Sequence, residues 1–359
     1  MAVAWIGNRE TLVTRAAEHA AELLRSSRCP VFSFDTDIHG TRTAIALAEA
    51  AGAAYDHRRG EALAREAALF TGKGGLTASP GEVRRRADLL AMVGELAEPA
   101  RSLAAELAGT APDLAARTKR ALFSIGVRGR PAWPGKTVRL GSARSDPGSV
   151  LSALRAALAG RQTAAPPANL AVFSAALQTA SFPVFLFSGS GLDPLAMEML
   201  QGLVDDLNRK GRASSLFLPA SESGWGSTLA SGWMTGFPPR TGFARGKPEF
   251  DPWRYDVERM IAAGEADLHL AVLAAGEVPP KRRNGTALLA LAVTERPVRG
   301  AAITFAVGEP GLDHDAVGYS LATGTLAATT ASARSDRASA AETLRLIAGH
   351  LQPGEALPC

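Results

Sequence analysis

Three side chains that can bind a metal or move a proton lie within five residues, in the segment Asp35-Thr-Asp-Ile-His39. The segment follows the apolar run Pro30-Val-Phe-Ser-Phe34, which predicts a short buried strand. Open α/β sheets place their ligand sites at the carboxyl ends of strands, so these side chains form a candidate metal site. The alternative is structural, because Thr36 or Asp37 can cap the helix predicted to follow.

Two other motifs carry a weaker signal. The glycine-rich segment Phe187-Ser-Gly-Ser-Gly191 follows a predicted strand and precedes a predicted helix, where backbone N–H groups can bind a phosphate. It lacks the remaining dinucleotide fingerprint and the lysine of a Walker A loop, so an ordinary turn is the simpler interpretation. The acidic segment Asp313-His-Asp315 is more typical of a solvated turn than of a metal site.

The chain has two cysteines, Cys29 and the final residue Cys359. Two thiols form no disulfide framework, which predicts a reducing, cytoplasmic environment. A cubane iron–sulfur cluster is held by a full set of cysteine thiolates, which this chain does not possess. Cys29 precedes a predicted strand and is expected to be buried and unreactive.

The aromatic and basic residues concentrate in one region. Residues 222–254 contain three of the five tryptophans among glycines, prolines and arginines, and predict a long ordered loop. Tryptophan and arginine are preferred anchors of protein interfaces. The alternative for the region is a loop that only packs on its own domain, and for the basic run 281–283 a solvated loop. The candidate contacts with a partner or an anionic ligand are Trp233, Arg240, Arg245, Lys247, Lys281, Arg282 and Arg283.

Predicted strands and helices alternate along the whole chain, the rhythm of a parallel sheet covered by helices on both faces. The Pro/Ala-rich segment 160–168 is the best linker candidate. We therefore predict two Rossmann-like α/β lobes, 1–160 and 169–359, with the alternative that the first lobe is discontinuous and completed by the C-terminal segment.

The bulk composition excludes several classes of protein. The chain is 46% hydrophobic and 21% charged, as in ordinary globular proteins. A net charge of +4 is too weak to indicate a nucleic-acid partner, but it is compatible with an anionic small molecule or an acidic protein. No run approaches the roughly 20 apolar residues of a membrane helix.

Four segments resemble the B subunit of formylmethanofuran dehydrogenase, a member of the molybdopterin oxidoreductase superfamily, and together they span most of the chain. The helical segment 43–56 and the segment Thr77-Ala-Ser-Pro-Gly-Glu-Val-Arg-Arg-Arg-Ala-Asp-Leu-Leu90 are similar to that family's first lobe. Trp233-Met-Thr-Gly-Phe-Pro, continued in Phe243-Ala-Arg-Gly-Lys-Pro-Glu-Phe-Asp-Pro252, resembles a signature of the same family. Gly308-Glu-Pro-Gly-Leu-Asp-His-Asp315 is similar to its C-terminal turn.

The chain departs from the redox-active members of this family in two ways. The N-terminal cysteine segment that binds their cluster is missing, and the cysteine that ligates molybdenum or tungsten beside a histidine aligns with Ile38, before His39. Isoleucine cannot ligate a metal. The resemblance therefore implies a molybdopterin-oxidoreductase-like fold with no cofactor, in which His39 is the remnant of a lost site.

Such degenerate relatives occur in the formyltransferase/hydrolase complex of methylotrophic bacteria. The resemblance implies a non-catalytic scaffold subunit in tetrahydromethanopterin-dependent conversion of formaldehyde to formate, with the other subunits of the complex as partners. The basic residues named above would guide the acidic, polyglutamylated tail of a methanofuran-type carrier. Two alternatives stay open: an active molybdopterin enzyme with Asp35 or Asp37 as the metal ligand, and a stand-alone hydrolase with zinc at Asp35, Asp37 and His39.

Overall fold

The computed structural model describes residues 3–351, except 116, 130, 132 and 282. The chain divides into two compact units. Unit 1 contains the chain up to Ala64, residues Ser221–Tyr319 and the chain from Leu326 onward. Unit 2 contains Arg65–Ala220 and the short segment Ser320–Thr325.

The elements of the described residues are numbered in chain order. The strands are β1 (Ala4–Ile6), β2 (Arg9–Thr11), β3 (Pro30–Phe34), β4 (Ala54–His57), β5 (Leu89–Val93), β6 (Ala121–Ile125), β7 (Thr137–Leu140), β8 (Pro183–Phe187), β9 (Ser214–Phe217), β10 (Thr241–Gly242), β11 (Glu249–Phe250), β12 (Leu268–Val272), β13 (Ala287–Ala292), β14 (Ile303–Ala306), β15 (Ala316–Ser320) and β16 (Thr325–Thr329). The helices are α1 (Val13–Ser26), α2 (Ile38–Ala50), α3 (Gly60–Gly72), α4 (Pro80–Arg86), α5 (Ala100–Gly109), α6 (Pro147–Leu158), α7 (Leu170–Thr179), α8 (Pro194–Asn208), α9 (Glu222–Thr235), α10 (Val257–Ala262) and α11 (Ala340–Leu351).

Unit 1 is built on a mixed nine-stranded sheet in the order β11-β10-β4-β3-β12-β13-β14-β1-β2. The five central strands, from β4 to β14, are parallel, and two short antiparallel strands extend each edge. Helices α1, α2 and α11 pack together on its apolar side chains, and β15 pairs with β16 in a separate ribbon. If the five parallel strands are numbered by their order along the chain, the sheet order is 2-1-3-4-5. The order therefore reverses between β3 and β12.

Unit 2 is built on a five-stranded, fully parallel sheet in the order β7-β6-β5-β8-β9. In chain order this is 3-2-1-4-5, the order of a mononucleotide-binding half, and it reverses between β5 and β8. Both central strands are apolar along their whole length and completely buried, as expected for parallel strands covered on two faces. Phe123, Phe173 and Phe185 pack together beneath α7.

The division of the chain differs from the predicted pair of lobes. The predicted linker 160–168 lies inside unit 2, between α6 and α7. Unit 1 is discontinuous, because β3 pairs along its full length with β12, more than two hundred residues later. Such a pairing depends on contacts distant in the sequence, which local periodicity does not report. The alternation of strands and helices predicted an α/β protein, and the sheets confirm that class.

One local prediction was wrong. Residues 222–235 were expected to be part of a loop, but they form α9, with Ser221 capping its start and Gly236 ending it at a φ of 80°. The glycines of this segment obscured its helical pattern.

Candidate functional site

The carboxyl end of β3 lies at the point where the strand order of unit 1 reverses, which is where open α/β sheets bind ligands. Asp35 follows β3 directly and is held to the neighbouring strand, since its N–H donates to the carbonyl of Val272 at 2.9 Å. His57 ends β4 and Arg59 follows it, so both side chains reach the same edge. Asp35 is 6% exposed and His57 is 2% exposed.

Asp35 is the acidic centre of this edge. Its Oδ1 lies 3.6 Å from Nε2 of His57, and its Oδ2 lies 3.9 Å from Nε of Arg59. Burial raises the pKa of Asp35, but the interactions with His57, Ser223 and Arg59 more than offset this, and the pKa lies below its ordinary value. The carboxylate is therefore ionised at neutral pH, and it is already engaged by the protein's own side chains.

His57 is oriented by the backbone. Its Nδ1 accepts a hydrogen bond from the N–H of Arg59 at 3.0 Å, so a neutral ring carries its proton on Nε2, facing Asp35. The 3.6 Å separation is longer than a hydrogen bond, and Nε2 has no partner among the described residues. No described hydroxyl or thiol is hydrogen-bonded to either ring nitrogen, so the pair lacks the nucleophile of a catalytic triad.

The three side chains of the predicted metal site do not converge. Asp35 faces His57, whereas Asp37 caps α2 by accepting the N–H of Gly40 at 2.8 Å, which confirms the capping alternative for that residue. His39 is exposed on the first turn of α2. Among the described residues no three His, Cys, Asp or Glu side chains are arranged to hold a metal.

At the position that the resemblance assigns to the lost metal ligand, the structure has a buried and packed side chain. Ile38 is 6% exposed, and its Cδ1 lies 3.2 Å from the position of a Cβ added to Gly226 of α9. The backbone N of Tyr319 lies 3.5 Å from the same position. A buried apolar side chain packed against α9 offers no metal ligand. The residues present here therefore do not fit a molybdopterin metal centre.

The reversal point of unit 2 is also closed by the protein itself. The loops after β5 and β8 touch, since a Cβ on Gly191 would lie 2.1 Å from the carbonyl oxygen of Glu95. Glu66 of α3 is fully buried, and its Oε1 accepts the N–H of Gly189 and the N–H of Ala220, both at 3.0 Å. These two amides follow the neighbouring parallel strands β8 and β9, so a side-chain carboxylate of the protein already occupies their donors.

Burial of the Glu66 carboxyl group disfavours its ionised form. Burial raises its pKa from 4.5 to about 7, even though both backbone donors favour the ionised form. The predicted turn at Gly189–Gly191 is a single turn of 3-10 helix. Its Gly189 accommodates Glu66, because a Cβ there would lie 2.2 Å from the Cγ of that side chain.

Arg240 was expected to contribute to a basic surface, and that expectation was wrong. Its side chain is 9% exposed and pairs with Asp56 at 3.2 Å, Asp256 at 2.9 Å and Glu61 at 3.3 Å. It also donates to the carbonyl of Pro252 at 2.7 Å, and its pair with Asp56 connects the segment after α9 to β4. Arg240 has a φ of 72°, a left-handed conformation that this set of contacts maintains.

The last turn of α9 and the segment after it present exposed apolar side chains within unit 1, called here the aromatic surface. It comprises Trp233, Met234, Phe237, Phe250 and Trp253, which are between 37% and 70% exposed. The rings of Phe237 and Phe250 stack with centroids 6.1 Å apart, and the guanidinium of Arg259 covers one face of the Trp253 ring at 4.3 Å. Exposed aromatic rings held in fixed positions are typical of a protein interface.

The remaining predicted basic residues lie on the surface. Arg245 and Lys247 are exposed, and Arg245 pairs with Glu249 at 3.2 Å. Lys281 and Arg283 are exposed in the connection between β12 and β13, whereas Arg282 lies outside the described residues. These four cations are exposed, and their contact with a partner or an anionic ligand stays a prediction.

Other predicted groups have structural roles. Asp313 accepts the N–H of Glu309 at 2.7 Å and Asp315 accepts the N–H of Ala331 at 2.9 Å, so both carboxylates fix turns. His269 is a buried core histidine, with its Nε2 at 2.7 Å from Oγ of Ser33, and burial lowers its pKa to about 3. Cys29 is half-buried rather than fully buried, and burial raises the pKa of its thiol.

Sequence reasoning missed His57, Arg59 and Glu66. The strand β4 that carries His57 was not predicted, because its four residues Ala-Tyr-Asp-His contain two polar side chains. The only local signal for this strand was a pair of apolar residues directly after Gly52. Glu66 lies in the sequence Ala-Arg-Glu-Ala-Ala of α3, where nothing distinguishes it from a surface glutamate.

The structure defines an α/β protein with two doubly wound sheets, each with a buried carboxylate near the carboxyl ends of its strands. Over 317 residues the chain is 34% identical to the B subunit of the formyltransferase/hydrolase complex Fhc of Methylorubrum extorquens, and the match covers 86% of this chain and 85% of that protein. The chain therefore belongs to the family formed by the B subunits of formyltransferase/hydrolase complexes.

A solved structure agrees with this assignment. The chain matches one chain of the crystal structure of the formyltransferase/hydrolase complex FhcABCD from Methylorubrum extorquens, in complex with methylofuran, with a TM-score of 0.86 and 30% identity. The match covers 97% of this chain and 98% of that chain. No protein-family model matches the sequence. No described helix is long and apolar enough to cross a membrane.

Proposed function

We propose that this chain is a non-catalytic scaffold subunit of a formyltransferase/hydrolase complex in tetrahydromethanopterin-dependent one-carbon metabolism. It assembles with the other subunits, which carry formyl transfer to a methanofuran-type carrier and hydrolysis to formate. The family supplies the complex, since the relative is its B subunit and the matched crystal structure is of that complex. The chain's own side chains supply the reason for a non-catalytic role.

One observation carries the scaffold role. Ile38 stands where the redox relatives place their metal ligand, and it is buried between α2 and α9. Burying a full isoleucine side chain contributes about 1.5–3 kcal/mol to folding. A position that serves chemistry in the redox relatives therefore serves packing here.

The remaining groups able to do chemistry are also engaged by the protein. Asp35 faces His57, Arg59 and Ser223, and Glu66 accepts two backbone N–H groups. A general base must instead be free to reach a proton of the substrate. The engaged carboxylates favour a stabilising role at both sheet edges.

We infer that the aromatic surface contacts another subunit. Trp233 and Trp253 are 60% and 70% exposed, and large rings of this kind supply most of the binding energy of an interface when they become buried. The exposed cations Arg245, Lys247, Lys281 and Arg283 would attract an acidic partner surface or the acidic tail of a carrier. The matched complex contains methylofuran, which makes such a carrier a reasonable ligand for the assembly.

The experiment is elemental analysis with cofactor extraction on the native complex, purified through this subunit. The proposal predicts partner subunits in fixed ratio, without molybdenum, tungsten or iron in stoichiometric amount. Stoichiometric molybdenum or tungsten with an extracted pterin would contradict it, and would make this chain a working oxidoreductase. Purification of the chain without partners would contradict the assembly part alone.

A further inference from the structure

A polar cavity lies in unit 2, at the edge of its sheet and away from the reversal point. Its volume is about 300 Å³ and it is lined by Ser124, Pro131, Lys136, Thr137 and Arg139. Ser124 belongs to β6 and the last two residues to the edge strand β7. Ser124 pairs directly with Arg139 in the parallel register, so their side chains project from the same face of the sheet. A cavity of this size accommodates a small ligand and several waters.

Three polar atoms of the cavity lining are buried without a hydrogen-bond partner among the described residues. They are Oγ of Ser124, Oγ1 of Thr137 and Nε of Arg139. Ser124 is 0% exposed, so its hydroxyl cannot be satisfied by bulk solvent. A buried polar group left unpaired costs about 1–3 kcal/mol, and three such groups around one cavity are unusual in a folded protein.

The cavity is also positively charged. Lys136 and Arg139 both line it, and neither forms an ion pair with a carboxylate of the described residues. One Nη of Arg139 donates to the carbonyl of Gly129, which fixes the guanidinium and leaves Nε directed elsewhere. Two cations and two hydroxyls around one space supply donors, whereas no acidic side chain is among the described residues of the lining.

We propose that this cavity binds one small oxyanion, a phosphate or a carboxylate group of a soluble ligand. The anion would accept hydrogen bonds from Ser124, Thr137 and Nε of Arg139, and Lys136 would neutralise its charge at the open side. Charge-assisted hydrogen bonds of this kind are roughly twice as strong as neutral ones. None of the lining residues named here belongs to the residues described at either reversal point or to the aromatic surface.

The test is isothermal titration calorimetry on the full chain in its purified complex, with inorganic phosphate and triglutamate as separate probes. The structure predicts that one of the two binds, and that Ser124→Ala and Arg139→Gln each weaken that binding by about tenfold or more. Preference for phosphate or for triglutamate identifies a phosphorylated or an acidic amino-acid ligand. The control Arg144→Gln removes an exposed cation of the same unit and should leave binding unchanged.

Thermal unfolding separates a ligand site from a purely structural defect. Without a ligand, Ser124→Ala should be as stable as the wild type or more stable, because it removes an unpaired buried hydroxyl. The bound probe should raise the Tm of the wild type and not that of the variant. Failure of both probes to bind, or binding that is the same in the Ser124, Arg139 and Arg144 variants, would overturn the proposal.

Discussion

The Cδ1 of Ile38 lies 3.2 Å from the position that a Cβ on Gly226 would occupy, so α2 and α9 meet at this pair of residues. Gly226 is buried, and a second backbone segment, at Tyr319, borders the same point. The contact joins the start of α2, where the resemblance places the metal ligand of the redox relatives, to the helix that leads into the aromatic surface.

We expect Gly226→Ala to lower the free energy of unfolding by about 1 kcal/mol, because the added methyl would lie 3.2 Å from the Cδ1 of Ile38 and force this buried side chain to shift. Urea unfolding of the variant measures this. Gly232→Ala is the matched control in the same helix, since a Cβ there meets nothing within 4 Å. The control should be about 0.5–1 kcal/mol more stable than the wild type. Equal effects of the two changes would refute tight packing at Ile38.

Arg240→Met should destabilise the chain by about 3–5 kcal/mol, since it leaves the buried carboxylate of Asp56 without its cation. Chemical denaturation measures the loss, and adding Asp56→Asn should recover part of it. Arg245→Met removes an arginine whose side chain is 67% exposed, and should change stability by less than about 1 kcal/mol. If the Arg240→Met variant were as stable as this control, Arg240 would not be part of a structural ion pair.

Glu66 predicts a specific pH dependence of stability. Its pKa in the folded chain is about 7, above the ordinary 4.5, so the folded state holds the proton more tightly than the unfolded state. The stabilisation is complete below pH 4.5 and is lost as the pH rises through 7, by up to about 3 kcal/mol. Glu66→Gln should remove this loss, which unfolding curves between pH 5 and about 8 can measure. Parallel pH profiles for the two proteins would contradict the raised pKa.

The aromatic surface predicts a defect in assembly rather than in folding. Trp233→Ala and Trp253→Ala should each weaken association with partner subunits by about 2 kcal/mol or more, which co-purification and analytical ultracentrifugation measure. Their unfolding free energies should stay near the wild-type value, because both rings are largely exposed. Leu12→Ala removes another exposed apolar side chain of unit 1 and is the control. Unimpaired assembly of both tryptophan variants would exclude this surface as an interface.

The sequence predicted the α/β class and many of the elements of the described chain, because parallel strands such as β5 and β8 are continuous apolar runs. It left a discontinuous first lobe open but did not locate the boundaries of the units, which depend on the pairing of β3 with β12. A helix with several glycines, α9, was not recognisable, since its stability comes from close packing that only glycine permits at Gly224 and Gly226.

The candidate site was predicted in part. Asp35 lies at the reversal point of a sheet, as its place after the strand suggested. Its partner His57 comes from another strand, and the burial of Arg240 results from three carboxylates contributed by separate segments. A charge in the sequence looks the same whether it becomes a surface contact or a buried ion pair, so only the fold distinguished Arg240 from Arg245.

The most direct test of the scaffold role is turnover by the assembled complex when Asp35→Asn and His57→Gln are introduced together in this chain. The new side chains are close in size to the ones they replace. The first change removes the carboxylate charge of Asp35, and the second removes the imidazole ring of His57. The scaffold role predicts that formyl transfer and hydrolysis stay within about twofold of the wild type once assembly is confirmed by mass. A fall of about a hundredfold or more in a complex of correct composition would contradict it, because a loss of that size is what removal of an acid–base group produces.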